Sequence, residues 1–212
     1  MQIVDDYYKK PVMPKEEFVE KALAIFTNLN NQLTEENAPH PDLIGTKIFD
    51  EPVFGIANPQ DDLFYKIREE NLLGIYFMMP DQWLPHAMSV VSYFFPYTTK
   101  IKEALDLSSN DKDLGEQKLL KRFGSQLEMM IMKEGYPALT PAADIRFCVE
   151  QSEDGQISGN WSEAHAAYIA GLNNFLAPGK TITTTGAAGH FGSLITALEI
   201  PADHRDNSNP LL

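Results

Sequence analysis

The residues able to do chemistry are few, and their spacing excludes most common sites. The histidines are His40, His86, His165, His190 and His204. No pair has the i, i+4 spacing that sets two imidazoles on one helical face, so no histidine metal site is expected. Cys148 is the single cysteine. One thiol builds neither an internal disulfide, nor a four-thiolate zinc site, nor an iron–sulfur cluster. It lies in the apolar run Arg146-Phe147-Cys148-Val149, which reads as a strand burying an inert thiol. A reactive cysteine needs an electropositive, accessible setting. Met129, Met130 and Met132 could suggest a soft-metal site, but methionine more often fills core gaps, and core packing is the expectation. No phosphate loop, metalloprotease helix or nucleophile elbow is present.

The informative stretch runs from Asn160 to Ile200. Ser162 is an N-cap candidate with Glu163 in the first turn behind it. A small-residue helix end follows at Ala170-Gly171, then Gly179. The hydroxyls of Thr181, Thr183, Thr184 and Thr185 precede Gly186, Gly189, Gly192 and Ser193. Glycines let backbone approach a bulky ligand, and free N–H groups with threonine hydroxyls suit amide or phosphate tails. An ordinary hairpin with a glycine turn accounts for the same pattern, and composition alone favours the hairpin.

The elements that must position these residues read as α/β or α+β, a central mixed sheet flanked by helices. Residues 1–13 form a polar arm. Phe18, Ala22, Ile25, Phe26 and Leu29 recur at helical spacing over residues 14–33. Residues 46–57 have strand character, and a short helix is expected over 61–70. The near-continuous apolar run Val90, Val91, Tyr93, Phe94, Phe95 is that of a strand buried on both faces. Leu119, Leu120, Phe123, Leu127, Met130 and Ile131 stripe a long helix over 113–135, with Gly135 as its stop. Strand pieces are expected at 136–139, 145–150, 181–185 and 191–200, with a helix over 162–172. Residues 202–212 read as a flexible polar tail.

The chain of 212 residues with 43% apolar content suits one domain over 1–212. A net charge of -13 repels phosphate backbones and anionic headgroups, so neither nucleic acid nor a membrane is expected as partner. The N-terminus has no apolar signal region, and no apolar run reaches membrane-spanning length. A cytoplasmic protein is the expectation.

The run Asn160-Trp161-Ser162-Glu163-Ala164-His165-Ala166-Ala167-Tyr168-Ile169-Ala170-Gly171-Leu172 resembles a motif of the epoxyqueuosine reductase-like 4Fe–4S proteins. The run from Ile182 through Thr183-Thr184-Thr185-Gly186-Ala187-Ala188-Gly189-His190-Phe191-Gly192-Ser193 to Thr196 is similar to the segment that follows it there. The resemblance implies the module that precedes a ferredoxin-like domain, with a nitroreductase-like, cobalamin-binding architecture. It implies cobalamin as the cofactor, with contacts around Gly171, Thr183, Gly186, Gly189, Gly192 and Ser193. No iron–sulfur cluster is expected in this chain, which stops about where the cluster cysteines would begin. A separate ferredoxin-type electron donor would then be the partner, and such folds often form homodimers.

Several positions depart from the family pattern. Ile157 stands where epoxyqueuosine reductases carry a proton-donating acid. Asn173 and Leu176 replace glycines, and His190 replaces an arginine. These departures keep open a second function, a non-catalytic binding or regulatory relative, and a third origin, a shortened product.

Overall fold

A computed structural model of the chain describes residues 12–69, 76–107, 114–151, 157–172 and 188–205. Its centre is a four-stranded sheet in the order β1 (Val53–Ala57), β2 (Ser89–Pro96), β6 (Gly189–Thr196) and β3 (Ala138–Leu139). β2 and β6 pair along their whole length, from Ser89 opposite Thr196 to Pro96 opposite Gly189. A second sheet is the small hairpin of β4 (Val149–Gln151) and β5 (Ile157–Gly159).

The fold class is α/β, as expected, with one difference. All named strands pair antiparallel; the only parallel pairing among the described residues is an isolated bridge between Val12 and Glu199. Apolar strand content could not distinguish these cases. A strand covered by helices on both faces reads as continuously apolar whichever way its neighbours run.

Both faces of the sheet are covered. Phe54, Ile56, Val91, Tyr93, Phe95 and Leu194 pack with Phe18, Ala22 and Phe26 of α1 (Lys15–Thr27) and Phe123, Leu127 and Ile131 of α5 (Glu116–Lys133). Ala57, Val90, Phe94, Phe191 and Ile195 face the other way. They meet Phe64 and Ile67 of α2 (Asp62–Glu69), Trp83 of α3 (Pro80–Trp83) and the alanine-rich α6 (Glu163–Ile169). α4 (Thr99–Leu107) adds Ile101 to the first layer. Side chains alternate across a strand, so β2 serves both layers with its odd and even residues.

α1 ends at Thr27 rather than near Leu33. Thr27 Oγ1 and Asn28 Nδ2 donate to the carbonyls of Leu23 and Ala24, closing the last turn from within. The next residues bond across the chain: Leu33 N donates to Thr46 O, and Ile48 N to Asn31 O. The Asn31 amide takes both backbone groups of Phe49, at 2.7 and 3.0 Å.

Two further expectations are corrected. Cys148 is exposed. It lies just before β4, which among the described residues pairs with β5 in a hairpin outside the main sheet, where the thiol meets solvent. Met129 and Met132 are exposed as well, and only Met130 packs on the core. The apolar stripe of α5 is wide enough to hold one methionine of the three.

The first residues of the stretch read as a tail are tied down. Asp203 Oδ2 accepts from Lys15 Nζ at 2.6 Å and from Ile56 N at 2.8 Å, while Asp203 N donates to Ile56 O. Arg205 reaches Asp61 and sits 5.7 Å over the Tyr168 ring.

No helix among the described residues is long and apolar enough to cross a membrane.

Candidate functional site

The Asn160-Trp161-Ser162-Glu163 motif sits where the hairpin, the second core layer and α6 meet, and each residue has a separate task. Asn160 holds the hairpin base. Its Oδ1 accepts from Cys148 N at 2.9 Å, and its Nδ2 donates to Arg146 O at 2.6 Å. Arg146 is fixed in turn by Asp144 and lies 5.0 Å over the Trp83 ring.

Trp161 lies in an aromatic box. Phe64 and Phe77 stack on it at 5.9 and 6.1 Å, and Trp83 meets it edge-on at 6.2 Å. Its Nε1–H donates to Ser193 Oγ at 2.9 Å, which ties the motif to the centre of β6. Both partners are buried. A bond of this kind specifies one packing, because an unpaired indole N–H or hydroxyl in the core costs about 1–3 kcal/mol.

Ser162 caps α6, its Oγ accepting from His165 N at 3.3 Å, and the hydroxyl also lies 2.9 Å from His165 Nδ1. Burial lowers the His165 pKa to about 4, so its imidazole is neutral at pH 7.

Every residue of α6 is buried. A helix can sit this close because the sheet presents small residues beneath it. Gly55, Ser92 and Ser193 lie side by side across β1, β2 and β6. A Cβ on Gly55 would collide with Ala170 O and lie 3.0 Å from the Ala170 methyl.

Glu163 enters the core at the start of α6 and is only 6% exposed. Neither carboxylate oxygen has a hydrogen-bond partner. Desolvation raises its pKa to about 7, opposed in part by the nearby Ser193 hydroxyl and Trp161 N–H. That opposition is incomplete because the indole N–H is already committed to Ser193. The site therefore holds a carboxyl able to exchange a proton near neutrality.

A second buried polar group lies at the opposite end of β6. His190 Nε2 is 2.7 Å from Tyr97 Oη and 3.8 Å from Glu116 Oε1, with Phe49 edge-on to the ring. Burial pushes Glu116 upward, but the His190 hydrogen bond and backbone N–H donors outweigh it, and the net pKa is lowered. Burial, with Glu116 beside it, raises the Tyr97 phenol.

The sequence-derived candidates divide as follows. Gly171 ends α6 with φ +80°, a left-handed conformation that favours glycine, and faces His204 O. Gly189 needs its hydrogen because a Cβ would strike Phe95 O and come within 2.5 Å of the Phe94 ring. Gly192 lies under the Tyr93 ring, whose Cζ and Oη would be 2.6 and 2.7 Å from a Cβ. Ser193 is fully buried and engaged by Trp161. Thr183 and Gly186 lie outside the described residues, as do Asp154, Asn173 and Leu176. Ile157 opens β5.

No protein-family model matches the sequence, and no protein of curated function matches it. Solved structures do. A selenomethionine-labelled epoxyqueuosine reductase superposes over 91% of this chain and 48% of its own, with TM-score 0.52 and 16% identity. The fold is that of the epoxyqueuosine reductases. The Bacillus subtilis enzyme, solved with its catalytic loop swung out of the active site, gives 0.48 at 16% identity over 92% of this chain and 48% of its own. A structure of an epoxyqueuosine reductase with an epoxyqueuosine-modified tRNA stem loop gives 0.49 at 16%, over 91% and 48%. This chain thus spans about half the length of the reductases it resembles.

Sequence reasoning placed Glu163 as an ordinary first-turn acid. Acids there usually face water, where they complement the helix dipole. The signal that could have singled it out is the company it keeps: Trp161 before it and Ala164, Ala166 and Ala167 after it leave α6 no polar face.

Proposed function

We propose that the chain is a reductase-type module that holds a large cofactor and receives electrons from a separate ferredoxin-type donor. The observation that carries this reading is the shared fold with the selenomethionine-labelled epoxyqueuosine reductase, across nearly the whole chain. The four-residue motif adds support, since its asparagine, tryptophan and serine build the joint between hairpin, sheet and α6.

Cobalamin is the cofactor the resemblance implies, and the described residues do not by themselves fit it. The side-chain space over Gly189 and Gly192 is filled by Phe94 and Tyr93, and Ser193 is bonded to Trp161. Backbone so covered offers nothing to a ligand, and no chemical step is derived through a corrinoid. Gly171, Thr183 and Gly186 remain the proposed contacts. Among the described residues, no group of three or more histidine, cysteine or acidic side chains could hold a metal ion.

The test is a visible titration of the purified chain with hydroxocobalamin, followed by gel filtration. Co-elution of the colour with a shifted spectrum supports the reading. An unchanged spectrum and a colourless protein peak sink the cobalamin assignment. The covering of Gly189, Gly192 and Ser193 favours a second reading, a binding or regulatory relative without catalysis. Reduction of the bound corrinoid by a reduced ferredoxin would decide for the first, and binding without reduction for the second.

A further inference from the structure

Glu163 is a buried group that packing does not explain. Both oxygens are enclosed, and neither has a hydrogen-bond partner. Native structures leave few buried polar atoms unsatisfied, and an ionised carboxylate is the costliest kind to leave so.

The groups around it decide what ionisation would do. Ser193 on β6 and Trp161 before α6 are the donors at hand, and the Trp161 N–H is given to Ser193 Oγ at 2.9 Å. On its own helix His165 is held neutral by burial, and Tyr168 lies one turn further on. From β2, Tyr93 feels the Glu163 charge, as it feels that of Glu128 on α5, and its phenol is raised mainly by burial. Arg205, at the far end of α6, is engaged by Asp61 and the Ile169 carbonyl. Among the described residues, no cation holds Glu163 in its charged form.

We propose that Glu163 is a proton switch for the seating of α6: neutral, it lies under the helix as observed; ionised, it draws the Trp161 N–H away from Ser193 Oγ and accepts from the Ser193 O–H as well. The exchange breaks the Trp161–Ser193 hydrogen bond that pins the motif to β6. Because α6 is buried along its whole length, a shift at its first turn is felt at Gly171 and at the chain around His204 and Arg205. The proposal stands on the Glu163 geometry and is independent of the reductase reading.

Trp161 reports on its own switch, since it stacks between aromatic rings and touches the only other tryptophan, Trp83. Near-UV circular dichroism and tryptophan emission of the full chain are followed from pH 5 to pH 9, with far-UV dichroism to register unfolding. The wild type shows one transition with a midpoint near 7 at constant far-UV signal. Glu163→Gln abolishes it, because the amide cannot ionise, and His165→Asn leaves it in place. A wild type without the transition overturns the proposal, as does a transition that survives in Glu163→Gln or vanishes in His165→Asn. If Glu163→Gln does not fold, Glu163→Leu, which cannot ionise either, takes its place with the same outcomes.

Discussion

Replacing Gly192 by alanine separates the two reasons a glycine can occupy that position. If the hydrogen is there for a ligand, the methyl group blocks binding and leaves the folded state alone. The packing says otherwise. The new Cβ would lie 2.6 Å from Tyr93 Cζ and 2.7 Å from its Oη, where ordinary contact begins at 3.4 Å. The ring must retreat by about 1 Å, and interiors packed like organic crystals have little such slack. Tyr93 is boxed in by Phe123 at 5.2 Å, Phe95 at 5.6 Å and Phe54 at 6.4 Å, so the retreat disturbs three further aromatic contacts. Overpacking of this kind costs about 1–3 kcal/mol, and the upper half of that range is expected at so enclosed a ring. With a urea slope of about 2–3 kcal/mol/M, the midpoint falls by about 1 M. Equilibrium urea unfolding, read by far-UV dichroism, measures it. A stability within about 0.5 kcal/mol of the wild type would refute the packing argument and restore Gly192 as a ligand contact.

The buried acid makes stability depend on pH in an unusual direction. With the Glu163 pKa raised from 4.5 to about 7, the unfolded chain loses its proton first, so stability falls as pH rises from 4.5 and levels off above 7. The difference corresponds to about 3 kcal/mol. Urea midpoints of Glu163→Gln should lack this decline, and parallel pH profiles for the two proteins would contradict the burial argument. Asp203→Ala removes the acceptor shared by Lys15 and the Ile56 N–H, and should cost about 1–2 kcal/mol. Faster amide exchange at Ile56 checks the cause; unchanged exchange there would mean the contact does not hold β1.

Much of the scaffold was legible along the chain. The apolar run from Val90 to Phe95 announced a strand covered on both sides, and Ser162 announced the start of α6. Those signals are local: a strand buried on both faces shows in its own residues, and a cap lies within four residues of the amide it serves. Other features needed the third dimension. Thr27 and Asn28 ending α1 early, and Asn31 pairing with Phe49, are competitions between local and cross-chain bonds that periodicity does not see. Cys148 read as buried because its run is apolar, yet it sits at the foot of the outlying hairpin and is exposed.

The site divides in the same way. The sequence by itself determined that glycines and a serine cluster after the tryptophan motif, and the resemblance it carries agrees with the shared fold. Only the tertiary structure decided what those residues face. Gly192 meets Tyr93 across one strand pair, Ser193 meets Trp161 across 32 residues of chain, and Glu163 lies beside both Ser193 and Trp161 without a completed hydrogen bond to either. A carboxylate's pKa depends on water and donors within a few ångströms, and those neighbours come from distant parts of the chain. The spelling Trp161-Ser162-Glu163 therefore fixes a capped helix start, while the packing of α6 on the small residues Gly55, Ser92 and Ser193 makes its acid a group that titrates near neutrality.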